Sequence, residues 1–387
     1  MSVYPPREDS HLLADQVRKY AKGIVLDMGT GTGIQAEAAL EKPEVEQVYA
    51  VDKNPKAIAH CKKTIKKRKL VCLKSDLFAA FKGKLSKLQF DTIVFNPPYL
   101  PADGHKPDMA LIGGKKGYEV IQRFLDQAPK HLKPDGCILL LFSNLTHRQK
   151  VEEFILYNGL DFKQLASARM FFEELFVYLI TKNEAAKKLE PKGFKNIHYF
   201  DDGNRGIIYT ANYKGTKVAI KLKKPNSEAV GRMRNEGKTL ELVNKKGMGP
   251  KLVEAKPDYV AYEFVEGEYL KNWLPKAPKA KVKPLLKDLF EQAFTLDQMN
   301  ITKEEMHRPL KNAIVTKKNK VVMIDWERSH PSKKPHNVTQ LCQFIMVWKE
   351  TLKKKGIKIT DKQLIEAARA YKTNPGHNSF KAILSLL

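Results

Sequence analysis

Apolar residues recur along the first half of the chain in short blocks, each closed by a glycine, a proline or a polar residue. Gly23-Ile24-Val25-Leu26, Gln47-Val48-Tyr49-Ala50-Val51, Val71-Cys72-Leu73 and Ile93-Val94-Phe95 come first; blocks at 136–142, about 164–170 and 176–181 follow. Blocks of this length, rich in β-branched and aromatic residues, predict strands buried on both faces. Helical stretches lie between them, so the pattern predicts an α/β, doubly wound, Rossmann-like sheet of seven strands. Little separates the last two blocks, which predicts one antiparallel strand.

The pattern changes after residue 182. Asn183-Glu184-Ala185-Ala186-Lys187-Lys188-Leu189-Glu190-Pro191-Lys192 reads as a short charged linker. A hairpin follows: Gly203-Asn204-Arg205-Gly206-Ile207-Ile208-Tyr209, a turn at Tyr213-Lys214-Gly215, then Val218-Ala219-Ile220-Lys221. Glu236 falls in a helical stretch, and Tyr259-Val260-Ala261-Tyr262-Glu263-Phe264-Val265 reads as a strand meeting a hinge. Residues 346–387 read as helices broken by Asn374-Pro375-Gly376. The expected organisation is therefore a first domain over 1–182, a linker over 183–193 and an α+β, bilobal second domain over 194–387.

Composition narrows the class. Among 387 residues, 42% hydrophobic and 29% charged are globular values. The four cysteines, Cys61, Cys72, Cys137 and Cys342, show no metal-clip or redox spacing, which predicts reduced thiols in a cytoplasmic protein. No apolar run approaches membrane-spanning length. The formal charge is +26, of which +19 lies beyond residue 183. Such a surplus suits an acidic partner such as ribosomal RNA, and it equally suits a generally lysine-rich proteome.

Candidate chemistry gathers where the predicted strands end. Ligands of open α/β sheets bind at the carboxyl edge. The first strand runs into Asp27-Met28-Gly29-Thr30-Gly31-Thr32-Gly33, a spacing distinct from the dinucleotide fingerprint Gly-x-Gly-x-x-Gly. A carboxylate at Asp27 favours an ammonium over a pyrophosphate. Asp52, some 20 residues on, can hold two ribose hydroxyls, and Asp76, beside Leu77, can face an adenine amino group. The fourth strand stops at Asn96-Pro97-Pro98-Tyr99. Here the Asn96 carboxamide oxygen and the Pro97 carbonyl can accept both hydrogens of a planar NH2 group, with Tyr99 as a wall. Hydrogen bonds aimed to favour a tetrahedral nitrogen return its lone pair to service as a nucleophile.

These motifs resemble class I S-adenosylmethionine-dependent methyltransferases, specifically the HemK type that methylates the glutamine amide of class-1 release factors, over about residues 1–182. The opening Tyr4-Pro5-Pro6-Arg7-Glu8-Asp9-Ser10 is similar to that of the short archaeal and eukaryotic branch. So is Gly113-Gly114-Lys115-Lys116-Gly117-Tyr118-Glu119-Val120 after the Asn-Pro-Pro-Tyr loop. The resemblance implies Asn96, Pro97 and Tyr99 at the target amide. It places Glu8, Ser10, Asp27, Gly29, Thr30, Gly31, Gly33, Asp52, Asp76 and Leu77 around the cofactor. It also implies a release factor or another translation factor as substrate, and often a small zinc-containing activator subunit. Adenine-N6 enzymes share the tetrapeptide, and lysine methylation is the nearer alternative.

In the second half, Lys221 at a strand end needs an anionic partner, which Glu236 can supply. Met306-His307-Arg308-Pro309-Leu310-Lys311-Asn312 and Ile324-Asp325-Trp326-Glu327-Arg328 follow. In this order the elements resemble the RIO-like atypical protein kinases over roughly 194–345. That resemblance implies ATP with Mg2+, held by Lys221 and Glu236, by the hinge at Glu263 and Val265, and by Asn312 and Asp325 on the metal. Two features depart from it. No aspartate lies in the catalytic loop, where His307 stands five residues before Asn312 and can act as the base. Trp326-Glu327 replaces the Phe-Gly after the metal aspartate. The alternative is a pseudokinase, an ATPase switch or an RNA-docking module.

Overall fold

The computed structural model describes residues 5–102, 111–203, 206–224 and 231–387. Tyr4 of the opening run and Asn204-Arg205 of the glycine-rich hairpin lie outside them. The chain forms two compact units, Met1–Phe200 and Asp201–Leu387.

The first unit is built on seven strands: β1 (Gly23–Met28), β2 (Val45–Asp52), β3 (Leu70–Lys74), β4 (Phe90–Phe95), β5 (Leu132–Ser143), β6 (Leu160–Arg169) and β7 (Glu174–Lys182). Their order is β3-β2-β1-β4-β5-β7-β6. Strand β7 runs antiparallel to both of its neighbours, the single reversal the sequence predicts. The strands alternate between two cores, as pleating requires. Val25 and Val94 pack with Leu13 and Val17 of helix α1 (Glu8–Tyr20), Ala36 of α2 (Ile34–Leu40) and Ile58 of α3 (Pro55–Thr64). Leu26, Ile93 and Phe95 pack on the opposite face with Phe124 of α4 (Glu119–Leu125) and Ile155 of α5 (Arg148–Tyr157). Sequential neighbours thus serve opposite layers, and the sheet is doubly wound.

The expected linker is ordered instead. The Asn183 side chain accepts from the Ala186 amide at 2.8 Å and caps α6 (Glu184–Leu189), which buries Ala185, Ala186 and Leu189. Lys182 is almost wholly buried and reaches Glu190. The charged residues hide an apolar stripe at helical spacing, and the division between units falls at 200/201 rather than within 183–193.

Strand β8 (Lys195–Asp202) runs across the division at 200/201; within the second unit β9 (Gly206–Tyr213), β10 (Thr216–Lys223), β11 (Leu252–Ala255) and β12 (Tyr259–Glu263) are ordered β9-β10-β12-β11. Lys214 and Gly215, at φ 49° and 82°, make the two-residue turn between β9 and β10, the handedness a tight hairpin prefers. Helix α7 (Arg232–Asn244) buries Met233, Glu236, Leu240 and Val243. Beyond α8 (Leu270–Lys276), the apolar stripe of α9 (Lys279–Gln298) forms the centre of a helical region, flanked by a small sheet of β13 (Gly267–Tyr269), β14 (Ala313–Thr316) and β15 (Val321–Met323). Residues after 346 are helical, as read, with the turn at 374–376 between α11 (Asp361–Thr373) and α12 (His377–Leu386). They join the same core through Leu364, Tyr371, Phe380 and Ile383. A buried Asp297 fastens them: it accepts from the Asn337 amide at 3.0 Å, at the start of α10 (Asn337–Val347), and from the Tyr371 hydroxyl at 2.9 Å. All four cysteines are free and buried, and among the described residues no helix is long and apolar enough to cross a membrane.

Candidate functional site

In the first unit, the carboxyl ends of β1 to β4 open onto one cavity lined by Asp27, Thr30, Gly31, Asp52, Asp76 and Asn96, among others. Gly29, Gly31 and Gly33 sit at φ 68°, 55° and 94°, so the turn after β1 demands glycine. Asp27 is buried beneath this turn; its carboxylate accepts from the Thr30 hydroxyl at 2.5 Å and the Ala36 amide at 3.2 Å. Burial pushes its pKa up to about 7, against the pull of those two donors. Asp52 accepts from the amides of Gly31 (3.0 Å) and Asn54 (2.8 Å), which aims it along the cavity wall. Asp76 carries an exposed ion pair to Arg123 of α4 at 3.0 Å, so the cavity meets an Asp–Arg pair where the sequence offered a lone carboxylate. Leu77, beside it, is buried with φ 48°.

Asn96 shows the most informative geometry. Its Nδ2 donates to Asp9 Oδ2 at 2.9 Å, while its Oδ1 is buried without a hydrogen-bond partner. Asp9 is itself turned by the Ser10 amide at 2.7 Å. One N–H of the carboxamide is therefore engaged, and its buried oxygen is left without a protein partner in a residue that lines the cavity. Pro97 and Tyr99 are buried beside it on the same cavity. Behind them pack the glycines of the Gly113–Gly117 run. A Cβ on Gly113 would stand 2.6 Å from the Pro98 carbonyl oxygen and closer still to that of Gly117. On Gly117 it would stand 2.5 Å from the Tyr99 oxygen. Glu119 accepts from the Lys116 amide at 3.0 Å and closes this support. The run is a backing for the Asn96–Tyr99 loop, which explains both its glycines and its glutamate.

The expected residues do not all meet here. Ser10 lines the cavity, but Glu8 is exposed at the start of α1 and does not, and Gly33 faces Cys61 and Ile65 beneath the turn. Neither Asp9 nor Ser10 caps α1, whose N-cap is Arg7. Asp9, Gln35 and Arg123 line the cavity without having been expected there. Asp9 stood in the quoted opening motif, and its reach to Asn96, 87 residues away, is a tertiary fact.

The second unit has a smaller cleft of different character. Lys221 Nζ on β10 sits among three carboxylates: Asp325 at 2.8 Å, Glu236 at 3.0 Å and Glu327 at 3.0 Å. Burial alone would lower the lysine pKa; Glu236, Asp325 and Glu327 hold it above the ordinary range. The acidic oxygens lie within 4.8 Å of one another, close enough to hold a metal ion. Glu236 also accepts from the Trp326 amide at 3.4 Å. Lys303, almost fully buried, donates to the backbone oxygens of Ile324 (2.9 Å) and Asp325 (2.5 Å), and burial pushes its pKa down to about 8. Asn312, Asp325, Glu305 and Glu327 line one cleft; His307 is not among its lining residues, and its backbone amide is taken by Gln340 at 3.3 Å. The hinge residues are conventional strand-end positions: the Glu263 amide bonds the Lys251 oxygen at 2.8 Å, and Val265 is half-buried just beyond β12. Glu305, Glu327 and Lys303 were not expected from sequence; Glu327 was visible only as a departure at the position of a glycine.

Comparison with known proteins bears on the first unit. The model of the methyltransferase small domain matches residues 8–158. A Methanocaldococcus jannaschii protein assigned as a protein N5-glutamine methyltransferase is 38% identical over 184 residues, 45% of this chain and 89% of that protein. The release factor glutamine methyltransferase of Aquifex aeolicus is 31% identical over 156 residues, 36% of this chain and 54% of that protein, so the chain spans about half of its length. A solved E. cuniculi Mtq2–Trm112 complex, responsible for methylation of the eRF1 translation termination factor, is 27% identical, covering 47% of this chain and 100% of that one at a TM-score of 0.39. With 89% of the M. jannaschii protein matched at this identity, the chain belongs, through its first unit, to the HemK-type family of methyltransferases.

Proposed function

We propose that the first unit transfers a methyl group from S-adenosylmethionine to the side-chain amide nitrogen of a glutamine in a protein, with a class-1 release factor as the substrate. The observation that carries this reading is Asn96 Oδ1, buried and unpartnered while Nδ2 is engaged by Asp9. A planar amide entering the cavity donates one N–H to Asn96 Oδ1 and the other to the Pro97 carbonyl. S-adenosylmethionine, when bound, would supply the methyl group, its carbon–sulfur bond breaking with the electron pair returning to sulfur as the amide nitrogen bonds to the methyl carbon; the proton that nitrogen then loses would pass to water. Cofactor binding falls to Asp27 at the ammonium, Asp52 at the ribose hydroxyls and the Asp76–Leu77 corner at adenine. The test is mass spectrometry of translation factors incubated with the protein and S-adenosylmethionine, with and without a small zinc-containing activator subunit. A methyl group on a glutamine supports the reading; methyl groups confined to lysine or to adenine overturn it.

A second reading concerns the other unit: an atypical, kinase-like site for Mg-ATP. The specific observation is the Lys221–Glu236 pair together with Asp325 at 2.8 Å and Asn312 on the same cleft. Lysine on phosphate oxygens, with a carboxylate and an amide on the metal, is the arrangement phosphoryl transfer requires. Calorimetric titration of the full chain with ATP, with and without magnesium, tests it. Absence of binding leaves the unit as a docking module, with its +17 surplus as its main feature.

A further inference from the structure

The catalytic loop of the second unit lacks an aspartate five residues before Asn312, and His307, which holds that position, does not line the cleft. The loop does bring a carboxylate there by another route. Residues 304–307 form a turn in which the Arg308 amide bonds the Glu305 oxygen at 2.8 Å. This turn takes up the two extra residues between Glu305 and the usual position. Glu305 then reaches Asn312: the Asn312 Nδ2 donates to its Oε2 at 3.4 Å, and Arg328 pairs with its Oε1. The side chain remains 44% exposed at the mouth of the cleft that holds Asp325.

Backbone conformation singles out the same place. Eight non-glycine residues have positive φ among the described residues, three of them asparagines, which tolerate it. Of the other five, Glu305 (68°) and Asp325 (60°) both line this cleft, and Leu77 lines the cavity of the first unit. A glutamate held in the left-handed region costs free energy that the surroundings must overcome, and such residues concentrate at functional positions. Asp325 is held there by Lys303 on its carbonyl, and Glu305 by the turn.

We infer that Glu305 is the catalytic carboxylate of this unit, standing in for the missing aspartate. The inference rests on the Mg-ATP reading above. In the step, the oxygen of an acceptor hydroxyl or water forms a bond to the γ-phosphorus while the bond from γ-phosphorus to the bridging oxygen breaks, leaving its electron pair on ADP. The acceptor proton passes to Glu305 Oε2. Asn312 donates to that oxygen and would also hold the metal, and Arg328 fixes the carboxylate in direction.

The experiment uses the full-length protein with Mg-ATP, measuring affinity by calorimetry and, with γ-labelled ATP, both phosphate release and label transferred to protein. Glu305→Gln should keep ATP affinity within about twofold while turnover falls about 100-fold or more, as loss of a general base does. Glu305→Asp should recover part of that loss, which a merely structural role would not require. His307→Ala should leave turnover within about threefold, since His307 lies outside the cleft. Unchanged turnover in Glu305→Gln, or turnover lost only in His307→Ala, overturns the assignment. Wild-type protein that binds ATP and neither hydrolyses nor transfers it also overturns the assignment and leaves the nucleotide reading intact. Wild-type protein that binds no ATP overturns both.

Discussion

Asn96 directly follows one strand and Lys221 lies near the end of another, and their surroundings differ in what is left over. Around Asn96, a residue lining the cavity, the protein engages one N–H of the carboxamide and leaves its buried oxygen without a partner. Around Lys221 nothing is left over: one buried ammonium meets three carboxylates, and the cleft beside it is small. The first site keeps an acceptor that, on the reading proposed above, a neutral planar group would complete. The second is complete by itself, and a phosphate or a metal ion enters it only by exchanging charge for charge. Preorganisation thus takes opposite forms: an unmet hydrogen bond in one unit and a self-neutralised cluster in the other.

The largest expected effect breaks the second site. Lys221→Met removes the ammonium and leaves Glu236, Asp325 and Glu327 facing one another in a buried cluster. Breaking a buried ion pair by removing one partner costs on the order of 3–5 kcal/mol. Urea unfolding should show that loss, and magnesium should restore part of it, because the acidic oxygens lie close enough to share a cation. Stability unchanged by the substitution contradicts a self-neutralised cluster.

Next comes the first site. Asn96→Ala should slow methyl transfer by roughly 2–4 kcal/mol in the transition state, as loss of an oriented polar contact does, with S-adenosylmethionine affinity nearly unchanged. A mutant that turns over normally removes Asn96 from the amide-binding role. Gly113→Ala probes the support beneath the same loop. The added methyl must displace backbone at Pro98 and Gly117, and a shift of an ångström there is worth up to about 100-fold in turnover. Cofactor affinity should again hold; equal losses in both would mean the loop supports the whole cavity.

The smallest effect is a pH dependence that separates the two sites. Burial raises the folded pKa of Asp27 to about 7, above its ordinary carboxylate value. Two consequences follow from that sign. Folding stability falls as pH rises from the unfolded carboxylate range toward 7, because the folded state still holds a proton that the unfolded state has released. An ammonium ligand needs the charged carboxylate, so cofactor affinity should weaken below pH 7, by about tenfold at one unit below if only the anion binds. Calorimetry from pH 5.5 to 8 checks this, and Asp27→Asn should flatten the profile. Affinity that does not change over this range takes Asp27 away from the ammonium.

Much of this was legible in the chain itself. Two-sided strands, the glycine turn after β1, Asp52 some 20 residues on and the proline stop at Asn96 are local patterns with local causes. They yielded the seven-stranded sheet, its single reversed strand and four of the loops around the cavity. The charged segment 183–193 misled because an apolar stripe of three residues, Ala185, Ala186 and Leu189, is too short to stand out against lysine and glutamate. His307 was reached by counting positions back from Asn312, which assumes a loop of standard length; the turn at 304–307 brings Glu305 within reach of Asn312.

Residue types and their order along the chain determined which chemistry each unit has available: an amide and carbonyls after one strand, a lysine with acids in the other half. The tertiary structure decided how those groups are used. Whether a carboxamide presents its oxygen or its nitrogen depends on which neighbour takes the other end, and that neighbour, Asp9, comes from the first turn of a helix 87 residues away. Whether Lys221 is free or enclosed depends on Glu327, carried 106 residues along the chain to the same point. Hydrogen bonds and ion pairs act over a few ångströms and are indifferent to sequence separation, so only the folded chain assigns them.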